Sequence, residues 1–334
     1  MLETLRAGGY PYLHCGRDLA TAQAALTELV RRTRQPFGLA VTGNPAGLVI
    51  PDQVTRVLLP WGTDDSAVPP GAERVWQVTN LPDAEAALGA GAAIAVKGND
   101  AAGRVGDEST FVLFQRVLGL AGERPVRVFV HGGVGVHTAA AYLALGAAGV
   151  HFDSQIALLP ECDAPAEFKA QLGRLSGGET TLIRGRRVLR WPTMPKPAAD
   201  APLEPFFGGL DPERHLIPLG QDIALASEFL GRYGRLDVVL AAIREAAYGH
   251  LRQAKHTPAL RAHSPLAREL GVTYPLVQGP MARVSDTPAF LAAVAAAGAL
   301  PMLTIGMSTP ETTARLLADT HETMGDAPWG AGLL

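Results

Sequence analysis

The chain has 334 residues, of which 47% are hydrophobic and 18% charged, so it can bury a substantial core as one large α/β domain or two smaller ones. Its formal net charge is −3 and no run of Lys and Arg exceeds three residues, which argues against a nucleic-acid or anionic-membrane surface. The longest apolar stretches, 139–150 and 289–307, are rich in Ala and interrupted by Gly or Pro, and they predict buried helices and strands instead of membrane spans.

The compartment and the metal content are also constrained by composition. The first ten residues, MLETLRAGGY, contain no apolar core preceded by positive charge, so no secretory signal is expected. Cys15 and Cys162 have no paired spacing, which suits a reducing cytoplasm. The nine histidines are scattered, and His131 and His137 flank a glycine turn instead of sharing a helix face, so we predict no metal site.

Short β-rich runs alternate with helical patterns along the first part of the chain. The predicted strands are 10–14, 37–42, 55–59, 74–79, 92–96, 126–131 and 148–153. The predicted helices are 19–34 with Asp18 as N-cap, 82–90 and 137–146. A strand at 180–183, a Pro- and Ala-rich linker at 192–207 and helices at 221–233 and 236–254 follow. Strands that alternate with helices at this spacing indicate parallel βαβ units.

The carboxyl ends of parallel strands are where such folds place their chemistry. The residues that the sequence places there are Lys97, Gly103, Arg104, Gly132, Gly133, Asp153 and Ser154. Glycines let backbone N–H groups approach an anion, and phosphate is the usual ligand. This block therefore predicts a site for a phosphate-bearing cofactor.

The pattern of Gly and Pro residues near the start of the chain recurs near its end. The string AGGYP at 7–11 is matched by AGALP at 297–301, an offset of 290 residues, and PFG at 36–38 is matched by PWG at 328–330 after a helix in each copy. A period of about 290 residues is near the size of a complete (β/α)8 barrel plus an appendage.

The second copy has a further strand, 274–278, one unit upstream of its Pro301 strand, and the first copy has no counterpart. The seven runs would then be strands two to eight of a TIM-type (β/α)8 barrel, in a chain that is part of a longer tandem protein. We predict that 274–278 fills the slot between 148–153 and 10–14, so that the barrel is permuted or completed by a C-terminal strand. The predicted segments are barrel strands two to eight at 1–191, a linker and helical insert at 192–262, and the start of a second repeat at 263–334.

Two strings carry a family resemblance. They are KGNDAAGRVGDESTF at 97–111 and VFVHGGVGVHTAAAYLALGAAGVHFDS at 128–154. Both resemble the nitronate monooxygenase (2-nitropropane dioxygenase) family and the related flavin-dependent enoyl reductases of fatty-acid and polyketide synthesis. The string YPLVQGPMARVSD at 274–286 resembles the family's first strand and loop. Tandem copies with a helical segment between them resemble arrangements inside polyketide synthases, which implies other synthase domains as partners.

The resemblance implies a TIM barrel that binds FMN. The positions that match the family's cofactor site are Lys97, Gly103, Gly132, Gly133, Asp153, Ser154, Gln278, Gly279 and Met281. By this resemblance the residues after strands seven and eight cradle the phosphate, and Lys97 reaches the pyrimidine edge of the flavin. The loop at 278–281 reaches the same cofactor only if 274–278 completes the first barrel.

The sequence departs from the family at two positions. The turn after the eighth strand is usually Gly-Thr and is here Asp153-Ser154, which aims a carboxylate at the phosphate unless the side chain turns away. Arg104 stands where nitronate monooxygenases have the histidine that takes the substrate proton. Arginine stays protonated and cannot be that base, although its donors can hold a carboxylate, a nitronate, a phosphate or an enolate. Asp100 is an alternative base that the family position does not support.

Three functions follow from these observations. The first is an FMN-dependent oxidoreductase with Arg104 and Lys97 as catalytic residues, acting on a small molecule as nitronate monooxygenases do or reducing an enoyl thioester. The second is a degenerate, non-catalytic barrel that serves as a scaffold in a multidomain synthase. The third is a dinucleotide-binding domain, because Gly133-Val-Gly135 precedes a helix and Asp153 lies about 20 residues further on. Against the third, the last fingerprint glycine would be Thr138.

Overall fold

A curled parallel sheet organises the N-terminal part of the chain. The computed structural model describes residues 1–16, 18–211, 213–257, 259–306 and 308–333. It divides the chain into two units, Met1–His250 and Leu251–Leu334. The strands of the first unit are β1 (Tyr12–Cys15), β2 (Phe37–Val41), β3 (Val54–Pro60), β4 (Glu73–Val78), β5 (Ala93–Lys97), β6 (Gly103–Arg104), β7 (Val128–His131), β8 (Gly149–His151), β9 (Thr180–Ile183), β10 (Arg186–Leu189) and β11 (Ile217–Pro218).

Helices connect most of these strands. They are α1 (Leu2–Arg6), α2 (Leu19–Arg32), α3 (Leu81–Gly89), α4 (Thr110–Ala121), α5 (Val136–Ala144), α6 (Ala166–Leu172), α7 (Ala226–Glu228) and α8 (Leu236–His256). Short 3-10 turns cover Ser154–Ile156, Glu204–Phe206 and Gln221–Leu225, and a π-helical turn covers Phe229–Tyr233. Asp18, Asn80 and Ser109 accept backbone N–H bonds at the starts of α2, α3 and α4, which satisfies donors that a helix leaves free. Among the helices of the described ranges, none is both long and apolar enough to cross a bilayer.

All seven predicted strands lie in one sheet. Its order is β1-β2-β3-β4-β5-β7-β8 and every neighbouring pair is parallel. Helices α2 to α5 follow four of these strands, as the strand–helix alternation predicts. The predicted α/β fold with a TIM-type parallel sheet is thus confirmed, as a half-barrel of seven strands.

The curvature of the sheet follows from its concave face. Side chains of six strands form one apolar cluster there: Leu58, Val75, Ala95 and Phe129, with Tyr12, Ala40 and Ala93 packed against them. In a flat sheet the edge strands β1 and β8 would lie roughly 29 Å apart, six spacings of about 4.8 Å. The rings of Tyr12 and His151, which belong to those two edges, have centroids only 5.3 Å apart. The sheet therefore curls until its edges approach each other.

A second, small sheet covers part of the barrel rim. Its central strand β10 pairs antiparallel with β9, β6 and β11. The sequence predicts β9 but not β10, because RGRRVLR has the composition of a turn. The linker and helical insert is predicted at 192–262, and residues 192–250 of it belong to the first unit. Its Leu219 and Ile223 pack with Leu158 and Leu172.

The second unit contains a shorter parallel arrangement. Its elements are α9 (Pro265–Glu269), α10 (Pro288–Ala296), β12 (Met302–Thr304), α11 (Pro310–Met324) and β13 (Gly330–Gly332), and β12 pairs parallel with β13. Its core is formed by Leu291, Leu303 and Met324. The arrangement β12–α11–β13 has the same element order and the same parallel pairing as β1–α2–β2. That it begins a second barrel repeat stays a prediction.

The segment 274–278 pairs within the second unit. Val277 forms a parallel bridge with Leu300, and Gln278 N–H donates to Leu300 O at 2.9 Å. The sheet of the first unit has β1 and β8 as its edge strands, and its seven strands do not include 274–278. That 274–278 completes the first barrel stays a prediction. Pairing with a strand about 25 residues away closes a much shorter loop than pairing with one more than 120 residues away, and it therefore costs less chain entropy.

Candidate functional site

Three side chains stand side by side at the carboxyl ends of neighbouring strands. Lys97 of β5 is in register with His131 of β7, which is in register with His151 of β8. Because side chains alternate along a strand, Lys97 and His131 face the same way as Ala95 and Phe129, whose side chains lie in the concave cluster. This row therefore points into the mouth of the half-barrel.

Asp153 joins this row from the turn after β8. Its Oδ2 lies 2.8 Å from His131 Nε2. His131 Nδ1 is buried and has no hydrogen-bond partner among the residues that the structure describes. Burial alone would raise the pKa of Asp153, but the imidazole of His131 and the ammonium of Lys97 hold that pKa well below its usual range. Burial also lowers the pKa of Lys97, while Asp153 and Asp222 oppose that shift. The mouth thus contains a cluster of Lys97, His131, His151, Asp153 and Asp222, in which Asp153 is the carboxylate that pairs with His131 and Lys97.

Asp222 comes from a segment far along the chain. It is 5% exposed, and its Oδ2 accepts a hydrogen bond of 2.7 Å from Gln155 Nε2. Burial raises the pKa of Asp222 to about 8, and the nearby carboxylates of Asp153 and Asp100 add to the rise. Its Oδ1 is buried, and the structure gives it no hydrogen-bond partner. This side chain is therefore a proton-holding acid at neutral pH.

The segment around Asp222 closes the strand ends. Gly220 N–H donates to Ser154 Oγ at 2.9 Å, and Gln221 N–H donates to Asp100 O at 2.9 Å. A Cβ on Gly220 would lie 2.8 Å from Asp100 O, so only glycine permits this approach. Leu225 reaches the turn after β7, where it comes within 3.1 Å of the Cβ position of Gly135. The residues 219–225 consequently cover the loops after β5, β7 and β8.

The glycine turn after β7 faces a carboxylate of the protein itself. Gly132 and Gly133 have φ angles of +119° and +62°, which favour glycine. A Cβ on Gly133 would lie 2.3 Å from Asp100 Oδ2. Asp100 Oδ1 accepts from the N–H of Thr110 at 2.9 Å and from its hydroxyl, so Asp100 ties its loop to the start of α4. This role is structural and leaves little support for Asp100 as a base.

The resemblance places the FMN phosphate at the turn Asp153-Ser154 after β8. The hydrogen bonds of this turn therefore show whether a phosphate fits there. The N–H of Asp153 donates to Gln155 Oε1 at 2.9 Å, and the N–H of Ser154 donates to Asp153 Oδ1. Ser154 Oγ accepts from Gly220, as described above. Both amides are therefore used. The carboxylate of Asp153 lies in the turn where the resemblance implies the phosphate dianion, and Asp100 lies against Gly133. The residues present do not fit the FMN phosphate at this turn.

The remaining predicted site residues are dispersed. Gly103 lies beside Lys97, since its Cβ position is 4.0 Å from Lys97 Nζ. Arg104 is exposed, and its backbone pairs with Arg186 in the small sheet. The loop residues Gln278, Gly279 and Met281 belong to the second unit, where Gln278 Oε1 accepts from Met302 N–H at 3.0 Å. In the described part of the chain, no group of three or more His, Cys, Asp and Glu side chains is placed to hold a metal ion.

The sequence analysis does not predict His131 and Asp222 as residues of the site. His131 is recognisable as the last residue of its strand, and alternation with Phe129 predicts that it faces the barrel mouth. Asp222 carries no such signal, because it lies in a 3-10 turn 67 residues after Gln155. Only the folded chain shows that these residues meet.

No protein-family model and no curated protein matches this chain. Among solved structures, FabK from Thermotoga maritima has a TM-score of 0.61 at 22% identity, with 75% of this chain and 88% of FabK covered. Nitroalkane oxidase from Streptomyces ansochromogenes has a TM-score of 0.56 at 21% identity, over 74% and 91% of the two chains. The enoyl reductase domain of MlnA, from the macrolactin biosynthesis cluster of Bacillus amyloliquefaciens, has a TM-score of 0.54 at 11% identity, over 73% and 89%. The chain therefore has the fold of FabK, nitroalkane oxidase and the MlnA enoyl reductase domain, which is the fold that its sequence resemblance implies.

Proposed function

We propose that the first unit is a non-catalytic barrel of the nitronate monooxygenase and enoyl reductase type, which serves as a structural module of a multidomain synthase. The observation that supports this proposal is the turn after β8. Its two amides are bonded to side chains of the protein, and Asp153 is paired with His131 where a phosphate dianion would have to sit. A carboxylate and a phosphate repel each other, and neither can leave water without a compensating partner.

Two further features agree with this proposal. Arg104 replaces the histidine that the resemblance assigns as the base, and its guanidinium cannot accept a proton at ordinary pH. The residues 219–225 are largely buried over the strand ends, with Leu219 at 5% and Ile223 at 1% exposure, so the mouth is covered by packed chain. The MlnA domain is an enoyl reductase of a macrolactin cluster, which supports a synthase as the setting and other synthase domains as partners.

The experiment is a titration of the purified chain with FMN, followed by flavin fluorescence and by calorimetry. We expect no saturable binding up to about 1 mM, a concentration that would detect interactions as weak as about −4 kcal/mol. Stoichiometric uptake of FMN, or a yellow protein on purification, would overturn the proposal. The variant Asp153→Asn, which removes the charge and keeps the size, tests whether repulsion is the cause, because it should gain affinity if repulsion alone excludes the phosphate.

A second candidate is an FMN-dependent oxidoreductase that acts on an acyl thioester or on a small nitronate. It is favoured by the buried Lys97 at the end of β5, next to buried polar atoms without partners on His131 and Asp222. FMN, when bound, would supply hydride transfer, and Lys97 would stabilise negative charge on a ligand in the mouth. NADPH-dependent reduction of a 2-enoyl thioester, compared with oxidation of a nitronate, distinguishes the two chemistries. Neither activity should exceed the rate of free flavin if the first proposal holds.

A further inference from the structure

The small sheet carries a cluster of arginines, Arg104, Arg184 and Arg186. Strands β9 and β10 form a hairpin in which Ile183 pairs with Arg186, so the turn consists of Arg184 and Gly185. The φ angles of these two residues are +48° and +70°. Two positive φ angles define a turn that prefers Asn, Asp or Gly at its first position. An arginine held there is strained, and such strain is concentrated at functional positions.

The next residue of the hairpin meets another arginine. Arg186 of β10 lies directly opposite Arg104 of β6 in an antiparallel ladder, so the two side chains share one face. Like charges in this position destabilise a strand pair. The acid near them is Glu204, whose Oε1 lies 3.9 Å from Arg186 Nη2, a long ion pair with both side chains partly exposed. Within the described residues, this long contact is the ion pair that Arg186 makes.

The next residue of β10, Arg187, is buried, unlike Arg186. Arg187 points to the opposite face and is 7% exposed, and its Nη1 donates to Thr180 Oγ1 at 3.1 Å. Its partner in the ladder is Gly103, which leaves room beside Lys97 at the barrel mouth. Arg187 is therefore buried on one face of the small sheet, and Arg104 and Arg186 lie on its other, more exposed face.

We propose that Arg104 and Arg186, with Arg184 in the adjoining turn, form a seat for a phosphate group of a ligand. Guanidinium groups bind phosphate through two parallel N–H donors, and an anion between Arg104 and Arg186 would convert a repulsive pair into a favourable one. The phosphate belongs either to free inorganic phosphate or to the phosphopantetheine arm of a coenzyme A type thioester. This proposal goes beyond the non-catalytic barrel and does not depend on FMN binding.

The test measures binding by calorimetry with three probes: inorganic phosphate, coenzyme A, and pantetheine, which lacks the phosphate. We expect saturable binding of coenzyme A or of inorganic phosphate and none of pantetheine. Arg104→Gln and Arg186→Gln should each weaken binding about tenfold or more, the loss of one charge-assisted contact. Arg31→Gln, on the 73% exposed side chain of α2, is the matched control and should leave binding unchanged. Adenosine 3′,5′-bisphosphate, which carries the nucleotide of coenzyme A without its arm, is the control probe. Binding of coenzyme A that is tighter than that of both this nucleotide and inorganic phosphate identifies the phosphopantetheine arm, and binding no tighter than that of phosphate identifies the free ion.

Thermal unfolding distinguishes a variant that has lost phosphate binding from one that has lost stability. Without ligand, Arg104→Gln should unfold at the same or a higher temperature than the natural protein, because it removes one of two like charges. Added phosphate should raise the melting temperature of the natural protein and not that of the variant. Equal binding of pantetheine and coenzyme A, an equal loss in Arg31→Gln, or no saturable binding of any phosphate probe would overturn the proposal.

Discussion

The imidazole of His131 and the carboxylate of Asp153 lie 2.8 Å apart at the ends of adjacent strands, with side-chain exposures of 11% and 29%. The pair occupies the turn at which the sequence predicts a phosphate. Lys97, in register with His131, adds an ammonium group on the same face. The carboxylate of Asp153, which the sequence analysis expects to repel the FMN phosphate, is therefore paired with protein groups in the barrel mouth.

Asp153→Asn should lower the free energy of unfolding by about 1–3 kcal/mol at pH 7, because a partly buried charge-assisted bond is replaced by a neutral one. Asp153 has a depressed pKa in the folded chain, so its contribution is complete above the unfolded pKa of about 4 and is lost as the pH falls below that value. Chemical denaturation at several pH values between 3 and 7 measures this. A difference between the two proteins that does not shrink toward pH 3 would contradict the pairing.

Asp222 should make the chain less stable as the pH rises. The folded protein keeps this proton up to pH of about 8, whereas the unfolded chain loses it near pH 4, so the free energy of unfolding falls through this window and levels off above it. The total fall attributable to Asp222 should be roughly 5–6 kcal/mol, since the shift is about four pKa units and one unit corresponds to about 1.4 kcal/mol. Asp222→Asn should flatten the profile between pH 5 and 9, and the exposed Asp52→Asn should not.

Gly133→Ala should destabilise the first unit by about 2–4 kcal/mol, since the new methyl group meets Asp100 Oδ2 and adds a positive-φ penalty. Gly91→Ala is the matched control, because Gly91 has a similar φ of +68° with no atom within 4 Å of its Cβ position. The difference between the two variants in denaturant unfolding isolates the collision. Equal losses would mean that the carboxylate does not lie against the turn.

Corresponding glycines of the two units should respond differently to a methyl group. A Cβ on Gly38 would lie 2.4 Å from the ring of Tyr12, and one on Gly330 would lie 2.5 Å from the sulfur of Met302. Because a ring is rigid and a thioether flexible, Gly38→Ala should cost about 2 kcal/mol and Gly330→Ala less than about 1 kcal/mol. Unfolding of both variants, with Tyr12→Ala added to Gly38→Ala, checks this. The second substitution should bring little further loss if the ring is the obstacle.

Local patterns predict the main sheet well and the small sheet poorly. Each of the seven parallel strands is found within three residues of its predicted ends, because β-branched and apolar runs between helices have few other ways to bury their side chains. Strand β10 is missed because its arginines alternate between an anchor, Arg187, and a rim residue, Arg186, and such a run has no apolar face to detect. Strand β6 has two residues, too few for any period.

The sequence by itself determined the order of strands and helices, and with it the position of Lys97 and the Gly132–Gly133 turn at the carboxyl ends of the sheet. These features depend on side-chain periodicity and on glycine, which act within a few residues. Only the tertiary structure decided that Asp153 pairs with His131, that Asp100 fills the space at Gly133, and that Asp222 closes the mouth. Those contacts join residues 22 to 67 positions apart, and they form because the curling of the sheet brings its strand ends and the covering segment together.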